Sequence, residues 1–303
     1  MVACVGGLAA DAIADARDGY VRAVFAHSAY VELGSQWLCI GGSGLGRGPL
    51  NALVGSNQAL REWLAGVQPG QRVAGSWPRF RVGGAELDFA CALRWHPATP
   101  ALPIDRGRLA RGVIRTRSAA RSRVPADGLA FLVPGVDSSS ALARIGRDAS
   151  SALHDWLAHS SLPPPHALCA LIGLGPGLTP SGDDFLGGAL VALHAFGNTD
   201  VAKALGEWLL PRCADATHPV SVAHLAAAAR GEGGEALHAS VCALAEGRDA
   251  DDALDAIAAV GHTSGWDALA GAMAVASATC VVVSGRAARA RRTRPHARST
   301  AQR

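Results

Sequence analysis

Lysine is almost missing from this chain. Lys203 is the only one, and nearly all positive charge is carried by arginine. A catalytic lysine would therefore have to be Lys203. No G-K-[ST] sequence is present, so a phosphate-binding loop of the Walker type is excluded, and no G-x-G-x-x-G opens a dinucleotide fold. The G-x-S-x-G elbow of serine hydrolases and the H-E-x-x-H of zinc peptidases are also missing. Close cysteine pairs are lacking too: Cys4, Cys39, Cys91, Cys169, Cys213, Cys242 and Cys280 stand far apart, with no C-x-x-C. That argues against a disulfide framework or a zinc site and for reduced, buried thiols. No basic segment precedes the short apolar run at the N-terminus, and the most apolar stretch, Ala268–Val283, is shorter than the roughly 20 residues of a membrane span. The expected setting is the cytoplasm, with no membrane partner. Acid is absent from the C-terminal end, where Arg286, Arg289, Arg291, Arg292, Arg294, Arg298 and Arg303 occur; without them the net charge of +3 turns negative. That run reads as a solvated, disordered tail rather than a nucleic-acid arm.

What is present divides in two. Val, Phe, Tyr and Trp are concentrated in Tyr20–Glu32 and Gln36–Ile40, after an Ala-rich helical stretch at Ala9–Arg17. Leu50–Val54 is a further strand candidate beyond the Gly-rich loop Gly41–Gly48. Arg79–Val82 and Glu86–Arg94 flank Gly83-Gly84, the sequence of a tight hairpin, and Leu87, Phe89, Cys91 and Leu93 alternate with more polar neighbours. The Pro-rich stretch His96–Pro103 breaks the pattern. Helical spacing follows in Arg106–Arg117, Ser139–Ala158, Asp184–Phe196, Thr199–Leu209, Ser221–Arg230, Gly234–Glu246, Ala250–Val260 and Trp266–Val283. The expected fold class is α+β: an N-terminal antiparallel β-rich domain over 1–100, a mainly α-helical domain over 101–285, and a tail over 286–303.

The chemistry is concentrated in Leu168–Asp184, L-C-A-L-I-G-L-G-P-G-L-T-P-S-G-D-D. A glycine-rich turn feeding a helix start offers free N–H groups and a favourable dipole to an anion. Gly175, Gly177, Thr179, Ser181 and Gly182 are candidate anion contacts, and Ser181 with Asp184 reads as a capping box. Two adjacent acids cannot both serve one cap, so Asp183 or Asp184 is a candidate to face substrate or, as a pair, to bind Mg²⁺, the one cofactor this sequence leaves open. A second stretch, Gly261–Asp267 (G-H-T-S-G-W-D), repeats the S-G-x-D pattern and opens a helix equally rich in small residues, with Gly188 and Gly271 at matching places. This suggests a duplicated helix start whose two ends share a pocket. It adds Ser264, Gly265 and Asp267 to the binding candidates and His262 to the catalytic ones. Thr217 and Ser221 are cap candidates for a third helix start.

The string G-L-G-P-G-L-T-P-S-G-D-D-F-L-x-G resembles the AllH family, which includes a subunit of oxamate carbamoyltransferase. G-H-T-S-G-W-D-x-L-x-G, the stretch Gly19–Val31, Asn51 and the run Leu93-Arg94-Trp95-His96-Pro97 are similar as well, so the resemblance spans roughly residues 10–285. It implies carbamoyl transfer between carbamoyl phosphate and oxamate, giving oxalurate and phosphate, in allantoin-derived nitrogen catabolism. It further implies an enzyme assembled from three different subunits. Asn51 is a further candidate for substrate or anion binding. Two other readings stand beside it: a noncatalytic scaffold or effector-binding subunit, and a Mg²⁺-dependent phosphoryl-transfer enzyme using the Asp pair.

Overall fold

The computed structural model describes residues 1–15, 18–82, 84–139, 141–158 and 163–292. The N-terminal half is a curled nine-stranded sheet: β1 (Val2–Gly6), β2 (Asp18–Val24), β3 (Ser28–Leu33), β4 (Gln36–Gly41), β5 (Asn51–Val54), β6 (Arg72–Ser76), β7 (Arg79–Val82), β8 (Ala85–Asp88) and β9 (Leu93–Trp95). Its order is β8-β7-β6-β2-β3-β4-β5-β1-β9. Pairing is antiparallel except for β4 with β5 and β1 with β9, which run parallel. Two helices, α1 (Gly7–Asp15) and α2 (Asn57–Gly66), lie in this half. Ala9 and Ile13 of α1 and Leu60 and Trp63 of α2 share one buried cluster with Val31, Leu33, Leu38, Ile40, Ala52 and Val54. Side chains alternate along a strand, so Tyr30, Cys39 and Asn51 lie on the opposite face. They form one cross-strand row, since Tyr30 pairs with Cys39 and Cys39 with Asn51.

The strands depart from expectation at two places. Tyr20–Glu32 is not continuous: it folds back at residues 25–27, where the Phe25 N–H donates to the Ser28 carbonyl (2.8 Å), making β2 and β3 a hairpin. Glu86–Arg94 is likewise broken. The Asp88 carboxylate accepts the Ala90 N–H (2.8 Å) and Phe89 starts a turn closed by Ala92, so the ladder stops at Asp88. The chain then crosses to the far edge, where β9 pairs with β1. The β7–β8 hairpin is present, with Gly84 at φ +81°, while Gly83 lies outside the described residues.

The C-terminal half is helical: α3 (Arg106–Ala120), α4 (Ala141–Ala158), α5 (Ser181–Ala195), α6 (Thr199–Cys213), α7 (Pro219–Ala228), α8 (Glu235–Glu246), α9 (Asp251–Ala258) and α10 (Ser264–Arg292). The rest of the Arg-rich end, 293–303, lies outside the described residues. Among the described residues no helix is long and apolar enough to cross a membrane. Central to this half are α5 and α10, packed along each other with Phe185, Leu186, Leu190, Leu269 and Met273 in one core. The halves are joined by polar ties. The Glu235 N–H donates to the Arg47 carbonyl (2.8 Å), Arg47 pairs with Glu235 (3.3 Å), and buried His238 Nδ1 stands 3.0 Å from the Ala98 carbonyl.

Candidate active site at two helix starts

The glycine-rich loop before α5 is shaped by backbone conformation. Gly173, Gly175 and Gly177 have φ of +69°, +115° and +96°, a region side chains resist. Gly182 packs so close to the Leu171 carbonyl that any Cβ would overlap it. The expected Ser181–Asp184 capping box does not form. Pro180 holds the cap position, and its carbonyl accepts both the Asp183 (2.9 Å) and Asp184 (3.0 Å) N–H groups, while the Gly182 N–H donates to the Leu174 carbonyl (2.9 Å). Ser181 is thereby pushed inside the first turn. The helix-end amides that would meet an anion are thus mostly engaged. Among the described residues, the N–H groups of Gly175, Gly177, Leu178, Thr179 and Ser181 have no acceptor, and Gly177 faces open space.

The start of α10 repeats this construction. The Gly265 N–H donates to the Val260 carbonyl (3.1 Å) and the Asp267 N–H to the Thr263 carbonyl (2.9 Å), so Thr263 plays the part of Pro180 and Gly265 that of Gly182. The duplication read from S-G-x-D is therefore a duplication of geometry. The two starts also interlock. Ser264 and Thr179, whose hydroxyl oxygens are 3.1 Å apart, stand by Asp184; Ser181 and Thr263 stand by Asp267.

The three carboxylates have different situations. Asp183 is an anchor: it accepts the Gly173 N–H (2.9 Å), the Ser221 hydroxyl (2.7 Å) and the Thr217 hydroxyl, tying the loop to the start of α7. Thr217 and Ser221 thus do not cap α7. That role falls to His218, whose Nδ1 accepts the Val220 N–H (3.1 Å). Asp267 is fully buried and held by one oxygen, which accepts the Leu129 N–H (2.6 Å), with the carboxylate packed on Gly128; its Oδ2 has no hydrogen-bond partner among the described residues, and burial raises its pKa. Asp184 is the carboxylate left over. Its Oδ2 is shielded from solvent and has no hydrogen-bond partner among the described residues. Burial pushes its pKa well above the carboxylate range, the Ser264 hydroxyl works against that, and the charges of Asp267 and Asp183 add to the rise. Both oxygens of Asp183 accept hydrogen bonds from protein donors. Among the described residues no group of three or more His, Cys, Asp or Glu could hold a metal ion.

His262 sits exposed on the turn before α10. Asn51 is in the sheet and donates to the Gly46 carbonyl (3.0 Å), closing the loop after β4. Sequence reasoning missed two residues from this region. Tyr30 reaches across from β3 so that its Oη stands 3.5 Å from His224 Nε2 on α7, with the rings edge to face. Burial raises the Tyr30 pKa, with neighbouring Cys39 and the charge of Asp184 adding to the rise. Burial lowers His224 to about 4. The only signal was Tyr30's place opposite Cys39 and Asn51, which a strand register reveals and a single segment does not.

Two outcomes are expected here. Asp183→Ala leaves a backbone donor and two hydroxyls without their acceptor, so it should lower unfolding free energy by about 3 kcal/mol; a urea titration showing less than about 0.5 kcal/mol would refute the anchor role. His224 is held neutral, so the unfolded chain binds more protons than the folded one between about 4 and 6.5. Its contribution is complete above pH 6.5 and is lost as pH falls toward about 4. His224→Gln should flatten the stability profile in that window relative to wild type; parallel profiles would show that His224 titrates normally.

No solved structure matches the chain. The family model described as oxamate carbamoyltransferase subunit AllH matches residues 171–276, from the last residue before the glycine-rich loop through most of the apolar part of α10. The matched segment builds both helix starts and all three carboxylates, and over it this chain is similar to the AllH family.

Proposed function

We propose that the chain is the AllH-type subunit of an oxamate carbamoyltransferase and that the Asp184 site takes part in carbamoyl transfer. The observation that carries this reading is the contrast among the carboxylates: both oxygens of Asp183 accept anchoring donors and Asp267, though it too has an unpartnered oxygen and a raised pKa, is held by the Leu129 N–H, whereas Asp184 stands among the Ser264 and Thr179 hydroxyls with a shielded, unpartnered oxygen and a pKa pushed well above the carboxylate range. In the transfer, the amide nitrogen of oxamate bonds to the carbamoyl carbon, the carbon–oxygen bond to phosphate breaks, and one proton leaves the nitrogen. A carboxylate of raised pKa suits that proton: it takes it from the nitrogen and gives it to the departing phosphate. The open amides of Gly175 to Thr179 suit the phosphate, and the Thr179 and Ser264 hydroxyls and the Tyr30 phenol are donors for charge developing on the carbamoyl oxygen. The substrates are small anions, the partners are the other subunits, and no step requires nucleic acid or a membrane.

The test is carbamoyl transfer from carbamoyl phosphate to oxamate, with this chain alone and with its candidate partner subunits. Transfer that needs the partners and collapses on Asp184→Asn in an intact complex supports the reading; full activity with Asp184→Asn sinks it. The scaffold alternative has its own support, because a groove of the helical half lies away from Asp184, between α3, α4 and α10. It predicts an intact complex whose turnover is indifferent to Asp184.

A further inference from the structure

We infer that the groove between α3, α4 and α10 is the docking site for a segment of a partner subunit that presents an apolar side chain between carboxylates; this rests on the subunit reading above. The groove measures about 530 Å³ and is lined by Val113, Ile114, Arg117, Leu132, His154 and Met273 among others, with no acidic residue in its wall. At its rim Ile114 is 68% exposed in the middle of the outward face of α3. Arg111 and Arg117 stand one turn to either side of it and Arg121 one turn further, all exposed. From Arg106 to Ala120 the helix has five arginines and no acid.

These charges form few pairs: the Asp105 carboxylate lies near Arg108 and Arg111, and the rest of the face has no acid of its own. Among the described residues Arg106, Arg111, Arg117 and Arg121 have no ion pair, and Arg117 donates only to the neutral Ser277 hydroxyl (3.0 Å). Arg123, two residues on from Arg121, shows the contrast, paired with Asp251 (2.7 Å) and Asp255 (2.9 Å). An exposed branched aliphatic side chain flanked by guanidinium groups that form no ion pair has the composition of an interface centre. Guanidinium groups match carboxylates in geometry as well as charge, which selects an acidic partner segment.

The experiment mixes the full chain with the other subunits of its carbamoyltransferase complex and follows assembly by light scattering and affinity by calorimetry. Ile114→Asp and Arg117→Glu should each weaken assembly tenfold or more, and added salt should weaken the wild-type complex. Because both side chains are on the surface, the unfolding temperature of the isolated chain should not move. Lys203→Glu, a comparable charge change on α6, should leave affinity as it was. Wild-type affinity in both groove variants overturns the inference, as does absence of any wild-type complex. So does a homodimer of this chain that Ile114→Asp dissociates, or loss of RNA binding alone in the Arg117→Glu variant. An intact complex without carbamoyl transfer would sink the catalytic reading and leave this one standing.

Discussion

Gly188→Ala is expected to lower unfolding free energy by about 3 kcal/mol or more, while Gly187→Ala, one residue earlier, leaves it unchanged or raises it. Both glycines are in the interior of α5, where alanine has the higher helix propensity, by up to about 1 kcal/mol. Their surroundings are opposite. A Cβ on Gly187 would meet the Ala228 methyl at 3.7 Å and Leu225 at 3.9 Å, which is ordinary contact. A Cβ on Gly188 would overlap the Ala268 carbonyl oxygen of α10, and one on Gly271 would overlap the Phe185 carbonyl oxygen of α5. The backbones of the two helices touch at both places. Phe185 and Ala268 are equivalent positions of the duplicated start, as are Gly188 and Gly271. The crossing therefore follows a pseudo-twofold, each helix giving the other a glycine to rest on. Separating the helices to admit a methyl group would loosen the shared core around Phe185, Leu186, Leu190 and Leu269. Gly271→Ala should cost about as much as Gly188→Ala, and the pair should cost less than the two singles added, because one displacement serves both. Urea unfolding followed by tryptophan fluorescence decides it. A Gly188→Ala midpoint equal to that of Gly187→Ala would show that the helices do not cross as described.

This crossing was legible in the sequence to an unusual degree, because the signal was local. S-G-x-D followed seven residues after its serine by glycine occurs at 181–188 and 264–271, and one pattern fixes both where a helix starts and which face must be bare. The helices around it were readable for the same reason, since each carries its own apolar stripe. The sheet was less readable where partners matter more than propensity. The run Glu86–Arg94 alternates like one strand, yet Asp88 turns it and β9 finds its partner in β1 at the other end of the domain. The site was half legible. Which aspartate of D-D is committed as an anchor could not be read from the sequence, since the answer depends on donors delivered to Asp183 by Gly173, Thr217 and Ser221, up to 38 residues away. Tyr30 and His224 stayed hidden because neither belongs to a motif; they meet only because α7 lies against β4.

Asp184→Asn should separate function from stability, which no other substitution at this site does as cleanly. Asparagine keeps the size of the side chain and its hydrogen bonding with Ser264 and Thr179 but cannot ionise. Turnover in the assembled enzyme should fall by about a hundredfold or more, the usual scale for losing a positioned proton carrier. Stability should move the other way. The folded pKa of Asp184 is raised, so between the ordinary carboxylate value of 3.8 and the folded value the native chain binds more protons than the unfolded one. Stability from this group is complete below 3.8 and is lost as pH rises through the folded value. The advantage of Asp184→Asn over wild type should therefore grow from acid toward neutral pH, the reverse of the trend set by His224. In the wild-type complex the same titration should appear in kcat as a limb at a pH above the carboxylate range, and the variant should lack it. An unfolding free energy for Asp184→Asn that falls below wild type at neutral pH would mean that the carboxylate is a paired anchor like Asp183. In that case the activity loss would report damage to the fold rather than the removal of a proton carrier.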